Sequence, residues 1–182
     1  MEKIVSGIVV GSTDYKEADK IISILTPTDG LIRATARGVK KDKAKLKFSA
    51  MPFAFCEYTL IKKGDYFLVK SAAQIESLMH IAYDPDAFLV GAVMLEISAN
   101  ASGGTDSTLF ISLLEGIKDL IYGDNSAYEI GTRFVLDLLV RGGYQERDYI
   151  TSEGMNKERF KSVVHRFEQK FMCKIKSLCS FD

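Results

Sequence analysis

Cysteine, histidine and long apolar runs are all scarce in this chain, and each scarcity removes a class of function. The three cysteines, Cys56, Cys173 and Cys179, form an odd, sparse set without a CxxC pair. That argues against a disulfide framework and predicts a reducing, cytoplasmic setting. Cys56 lies in an apolar run and is expected to be a small buried hydrophobe. His80 and His165 are far apart and stand in no metal-ligand spacing, so each is read as structural or solvated. No apolar stretch approaches the ~18 residues of a membrane span. The opening MEKIVSGIVVGS has no long apolar h-region and no small-residue cleavage site, which predicts no signal peptide. GxSxG, HExxH and P-loop patterns are missing. Gly7-x-x-x-Gly11 is no dinucleotide fingerprint, because GxGxxG is lacking and no helix follows. Glu17 and Asp19 read as turn residues or partners for Lys16 and Lys20 rather than an acid–base pair. With no nucleophile–base pair and no metal cluster, the expectation is a non-enzymatic protein without metal or cofactor. Internal repeats and low-complexity segments are also missing.

Net charge is absent as well: 24 basic residues balance 24 acidic ones. The distribution is uneven. Met1 to His80 holds thirteen basic and nine acidic residues, Ile81 to Gln145 three and nine, and Glu146 to Asp182 eight and six. A basic front, an acidic middle and a mildly basic tail point to two modules with different partners.

What is present is concentrated between Asp29 and Phe48, DGLIRATARGVKKDKAKLKF. Side chains alternate between faces along a strand. So Arg33, Thr35 and Arg37 share one face, with Ile32, Ala34 and Ala36 on the other. Gly38 then releases the backbone, and Lys40, Lys41, Lys43, Lys45 and Lys47 follow, with Asp42 among them. Such a run reads either as a solvated loop or as a surface for a phosphate backbone, where neutralisation releases counterions.

Around it the chain reads as five short strands: Lys3 to Ser12, with Gly7 a bulge or bend; Ala18 to Thr26; Leu31 to Gly38; Phe53 to Lys63; and Tyr66 to Ile75. Asp14 to Glu17, Pro27 to Gly30 and Gly64-Asp65 are the turns. Five strands at this spacing predict a small closed barrel or a sandwich, the oligonucleotide-binding (OB) barrel being the smallest architecture that fits. Near residue 80 the period changes. A helix is expected from Asp84-Pro85-Asp86, then a loop from Ala99 to Thr105. A second helix capped by Thr105 or Asp106 ends at Gly123. A third stops at Gly142-Gly143, a polar loop covers Gln145 to Gly154, and a fourth runs from Asn156 to about Cys173. Their apolar stripes must pack into a bundle and against the barrel. The fold class expected is α+β: an OB-fold domain over 1–79 and an all-helical domain over 80–182.

Tyr15, Phe48, Phe53 and Tyr66 are the aromatics available as base-stacking platforms near a basic groove. Phe53 is read as core. Tyr15 and Phe48, in polar surroundings, are the preferred candidates.

These residues resemble a known family. Gly7-Ile8-Val9, Asp14-Tyr15-x-Glu17-Ala18-Asp19-x-Ile21, the turn at Gly30 and Ala36-Arg37-Gly38-x-Lys40-Lys41 look like the start of RecO, the bacterial recombination mediator and DNA repair protein. Weaker likeness continues in Leu138-Leu139-x-x-Gly142-Gly143-Tyr144 and Lys174-x-Lys176-Ser177-Leu178. The resemblance implies an N-terminal OB fold, a helical C-terminal domain and a mediator of repair and recombination that anneals strands. The partners it implies are single-stranded and duplex DNA, RecR and the single-stranded DNA-binding protein, with RecF and the recombinase beyond them. It implies phosphate contacts at Arg33, Arg37, Lys40 and Lys41, while charge density alone adds Lys43, Lys45 and Lys47. Many members carry a four-cysteine zinc module after the Leu-Leu-x-x-Gly-Tyr segment. Gln145 to Asn156 has no cysteine and is too short for one, so a zinc-free, short variant is expected. The family's single-stranded DNA-binding protein presents an acidic, apolar tail. Arg133 or Arg141 is the candidate basic residue for that tail.

Overall fold

The computed structural model describes residues 1–102, 104, 107–144 and 154–181. It divides into two compact units: Met1–Met79 with Ser102–Ile111, and His80–Ala101 with Ser112–Asp182.

The first unit is built on five strands, β1 (Glu2–Tyr15), β2 (Asp19–Thr26), β3 (Gly30–Ala36), β4 (Phe55–Lys63) and β5 (Tyr66–Glu76). They close into a barrel in the order β1-β2-β3-β5-β4, with β4 returning to β1. This is the OB-type five-stranded barrel that the strand spacing predicts. All ladders are antiparallel except β3 with β5. Closure removes the free edges that apolar strands would otherwise offer. Alternation fills the interior. Ile22 and Ile24 of β2, Ile32, Ala34 and Ala36 of β3, and Tyr58 and Leu60 of β4 all point into one cluster. Each large aliphatic side chain buried there contributes roughly 1.5–3 kcal/mol.

Two details of β1 differ from the sequence expectation. The strand runs on through Asp14 and Tyr15, because Lys20 and Asp19 across the ladder supply partners for both. Gly7 makes no bulge. It pairs regularly with Cys56, and the extra residue is Val10, between the pairs Val9↔Ile24 and Gly11↔Ser23. Gly7 instead permits close approach: a Cβ there would lie 2.5 Å from Ile24 Cγ2 and 2.7 Å from the Leu25 carbonyl oxygen.

The second unit holds α1 (Pro85–Ala101), the larger part of α2 (Ser107–Tyr122), α3 (Ala127–Arg141) and α4 (Lys157–Phe171). Asp84 caps α1, its carboxylate accepting from the Asp86 and Ala87 amides. Ser126 caps α3 by accepting from Glu129 N, and Asn156 caps α4 by accepting from Arg159 N, which satisfies amides that lack a helical partner. The helix α1 extends through Ala99–Ala101, where a loop was expected. The expected cap at Thr105 or Asp106 and the loop over 145–153 lie outside the described residues. Helix α3 packs on both α1 and α4. Gly131 makes this possible, since a Cβ there would sit 2.5 Å from Val90 and 2.7 Å from Phe160. The helix α4 ends at Phe171, two residues short of the expected Cys173, with Met172 after it in the left-handed conformation (φ 51). A 3-10 segment follows, Lys176–Phe181, which periodicity did not reveal. The α1 side chain Glu96 holds it, accepting from the Lys176 and Ser177 amides and the Ser177 hydroxyl.

Candidate nucleic-acid interface

The expected two-faced strand is present in β3. Ile32, Ala34 and Ala36 are buried, Arg33 and Arg37 are exposed, and Thr35 is intermediate. The ladders extend that outer face sideways. One row runs Thr13, Ile21, Thr35, Leu68, Ile61 across β1, β2, β3, β5 and β4, each neighbour a registered pair. Two residues along each strand lies a second row. Gly11 pairs with Ser23, Ser23 with Arg33, and Tyr66 with Lys63. The β3–β5 ladder itself registers Ala34 with Phe67 and Thr35 with Leu68, and Arg33 and Tyr66 are the residues just before it on the two strands. The inward packing of Phe67 and Val69 confirms that Tyr66 faces out. Arg37 lies just past the end of β3, about 13 Å along the strand from Arg33 at ~3.3 Å per residue.

The lysine loop is not a free coil. Gly38, at φ +68, donates its N–H to the Asp19 carboxylate at 2.8 Å, so Asp19 shapes the backbone rather than pairing with Lys20. Val39 is buried in the barrel core and Leu46 packs against it. Successive turns link Ala44 to Lys41 and Lys47 to Ala44. At the far end the buried Tyr58 hydroxyl donates to the Ser49 carbonyl at 2.8 Å, and Ser12 Oγ donates to the Ala50 carbonyl. Burial of the Tyr58 ring raises its phenol far above its ordinary range, so it stays a donor. Apolar anchors inside therefore leave Lys41, Lys43, Lys45 and Lys47 exposed.

Neutralisation separates the cations. Lys40 Nζ sits 2.7 Å from Asp14, with Lys20 at 3.9 Å from the same carboxyl. The Lys40 hydrogen bond leads the interactions that hold the Asp14 carboxyl below its ordinary value. Lys40 is thus engaged. Arg33, Arg37, Lys41, Lys43, Lys45 and Lys47 have no carboxylate within 4 Å among the described residues. Cations without a carboxylate partner among the described residues remain available to a chain of phosphates.

The aromatics rank differently from expectation. Phe53 is buried, as read. Tyr15 is 41% exposed, but Lys16 Nζ lies over its ring at 5.2 Å. Phe48 is 38% exposed and lines a pocket of about 60 Å³ with Met51, Phe53 and Leu78 on one hand and Gln74, Glu76 and Ser77 on the other. Tyr66, at 51%, is the most open of the four. Sequence reasoning passed over Lys63 and set Tyr66 behind the other two. Counting alternation outward from Phe67 would have raised Tyr66.

In the second unit Arg133 pairs with Glu129 at 2.6 Å and Arg141 with Asp137 at 2.5 Å, Arg141 also donating to Ser112 Oγ. Both guanidiniums, though part-exposed, are locally neutralised. His165 Nδ1 lies 2.9 Å from the buried Glu168 carboxylate, whose other oxygen accepts from Ile175 N. Among the described residues no group of three or more His, Cys, Asp or Glu is placed to share a metal ion, and no helix is long and apolar enough to cross a membrane.

Comparison with known proteins falls on the same module. Residues 1–78 match the family model for the recombination protein O N-terminal region. The chain is 28% identical over 166 residues to a DNA repair protein RecO of Clostridium novyi, covering 87% of this chain and 64% of the relative. It is 30% identical over 141 residues to that of Acetivibrio thermocellus, covering 76% and 56%. Against that of Bacillus pumilus it is 27% identical over 172 residues, covering 92% and 65%. The matched stretch spans a little over half to about two thirds of these relatives. Its barrel is thus matched from end to end by the RecO N-terminal family model, and most of the chain's length is similar to RecO proteins.

Proposed function

We propose that this chain is a DNA repair and recombination mediator that binds single-stranded and duplex DNA without sequence preference. It brings complementary strands together and, with RecR, helps to load the recombinase. One observation carries this reading: six cations without a carboxylate partner among the described residues, Arg33, Arg37 and four loop lysines, lie on one wall and the adjoining loop of a barrel matched by the RecO N-terminal family. Phosphate contacts of this kind position a nucleic acid without reading its bases. Screening of strand–strand repulsion lets two strands approach and pair, and no covalent bond is made or broken. RecR and the single-stranded DNA-binding protein are the partners that the family likeness suggests. For the latter's acidic tail, Arg133 and Arg141 are the proposed contacts, each exchanging Glu129 or Asp137 for a tail carboxylate.

Replacing Arg33 and Arg37 together by glutamate tests the site. Binding to a labelled oligonucleotide at low salt should weaken by an order of magnitude or more, since two favourable phosphate contacts become repulsive. Unchanged affinity would reject it. The zero net charge of the chain favours a second reading, an adaptor of the repair machinery with little direct DNA contact. It predicts retention of RecR with no DNA gel shift at low salt.

A further inference from the structure

The lysine loop is gripped at both ends, mostly by β1 and the turn that follows it. At the entrance the Asp19 carboxylate accepts the Gly38 N–H at 2.8 Å, and the Ala18 carbonyl accepts the Lys40 N–H at 3.0 Å. At the exit β1 takes hold again. The Val9 N–H donates to the Ala54 carbonyl at 2.9 Å, and the Val9 carbonyl accepts the Phe53 N–H at 3.1 Å. Ser12 Oγ donates to the Ala50 carbonyl at 2.9 Å, and from β4 the Tyr58 hydroxyl donates to the Ser49 carbonyl at 2.8 Å. Val39, Ser49, Ala50 and the Tyr58 ring are all buried to serve these contacts. A lysine run that serves only solubility needs no such anchoring.

A loop that must become ordered as it binds gives up part of its affinity, and a loop already ordered does not. We propose that these contacts form a clamp that presents the loop lysines to a phosphate backbone already in place, with Asp19 and Tyr58 as its positioning residues. Neither side chain touches DNA. Asp19 acts through the Gly38 amide and Tyr58 through the Ser49 carbonyl. The proposal rests on the DNA-binding reading above and adds to it two residues that carry no positive charge. For Asp19 the charge and the hydrogen bond predict opposite results. A carboxylate beside a cationic loop opposes a polyanion, so by charge alone its removal tightens DNA binding. As part of the clamp, its removal loosens the loop and weakens binding. Asp14 differs, because it holds the Lys40 side chain rather than the backbone, and its removal follows the charge.

The test is a fluorescence anisotropy titration of the full chain with a labelled oligothymidine over a salt series, well below the melting temperature of each variant. Asp19→Ala should lose on the order of tenfold in affinity, the scale of ordering one loop residue. Its salt slope should stay that of the parent, since every cation remains. Asp19→Asn keeps an oxygen acceptor for the Gly38 amide and should recover most of the loss. Tyr58→Phe keeps the ring in the core and should also weaken binding at constant slope. Hydrogen exchange at the Gly38 and Lys40 amides should quicken in Asp19→Ala. Tighter or unchanged binding by Asp19→Ala, or a loss that comes with a shallower slope, would overturn the clamp. So would a lowered melting temperature with no loss of affinity, the mark of a contact that serves stability alone. Should Tyr58→Phe fail to fold, Asp19→Ala, at a part-exposed turn position, decides the matter. If the Arg33/Arg37 double variant binds normally, the DNA site as a whole falls. If that variant is weakened while Asp19→Ala is not, only the clamp falls.

Discussion

Changing Lys41, Lys43, Lys45 and Lys47 together to glutamine should flatten the salt dependence of DNA binding by a calculable amount. Arg33, Arg37, Lys41, Lys43, Lys45 and Lys47 are six cations that lack a carboxylate partner among the described residues. If each meets one phosphate of a single strand, log K should fall with log salt at a slope of about −4.2, at about 0.7 per contact. From 50 to 200 mM salt, that is a loss of roughly 300-fold. The quadruple variant keeps only Arg33 and Arg37, so its slope should drop to about −1.4 and its loss to roughly sevenfold. Val39 and Leu46, which anchor the loop, are untouched, so the backbone stays in place. Lys40 is the internal control. Its ammonium is held by Asp14, so Asp14→Asn should release it and steepen the parent slope by about 0.7. The assay is anisotropy of a labelled oligothymidine at four or more salt concentrations. A quadruple variant with the parent's slope would refute the reasoning, because the loop would then be a solvated run that never meets the backbone.

Two further outcomes concern the fold. Gly7→Ala should destabilise the chain by about 1–3 kcal/mol in urea denaturation, since the added methyl meets a backbone carbonyl that cannot swing away; a change within experimental error would mean that β1 and β2 do not approach so closely. Burial alone would raise the Glu168 carboxyl, but the Ile175 amide, His165 and Lys174 outweigh it and hold it below its ordinary value of 4.5. The stability this gives is therefore present above pH 4.5 and lost as pH falls through the lower native value. Melting temperatures of Glu168→Gln and the parent should differ most near neutral pH and converge in acid; a gap that persists at the most acid pH at which both still fold would disprove the linkage.

Much of the barrel was legible because alternation is a local signal. Ile32, Ala34 and Ala36 are apolar every second residue, so Arg33 and Arg37 had to face water once β3 formed. Turn chemistry at Asp29-Gly30 and Gly64-Asp65 marked where strands reverse, and Gly30 and Gly64 do adopt positive φ. The helical half was legible for the same reason, through the start at Asn156 and stripes such as Phe160, Val163, Val164 and Phe167. Its misread stretches are those where periodicity is weak, namely Ala99–Ala101 and the short 3-10 segment near the C-terminus.

By itself the sequence determined which residues alternate, where turns fall and which cations crowd one loop, since all of these depend on neighbours within a few positions. Only the tertiary structure decided that Asp14 occupies Lys40 across 26 residues, that the bulge sits at Val10 rather than Gly7, and that Thr35 pairs with Leu68. Those facts follow from barrel closure, in which a parallel β3–β5 ladder joins segments with no pattern in common. A strand's own alternation fixes its faces, but its register against a distant strand is fixed only when the core behind both is filled.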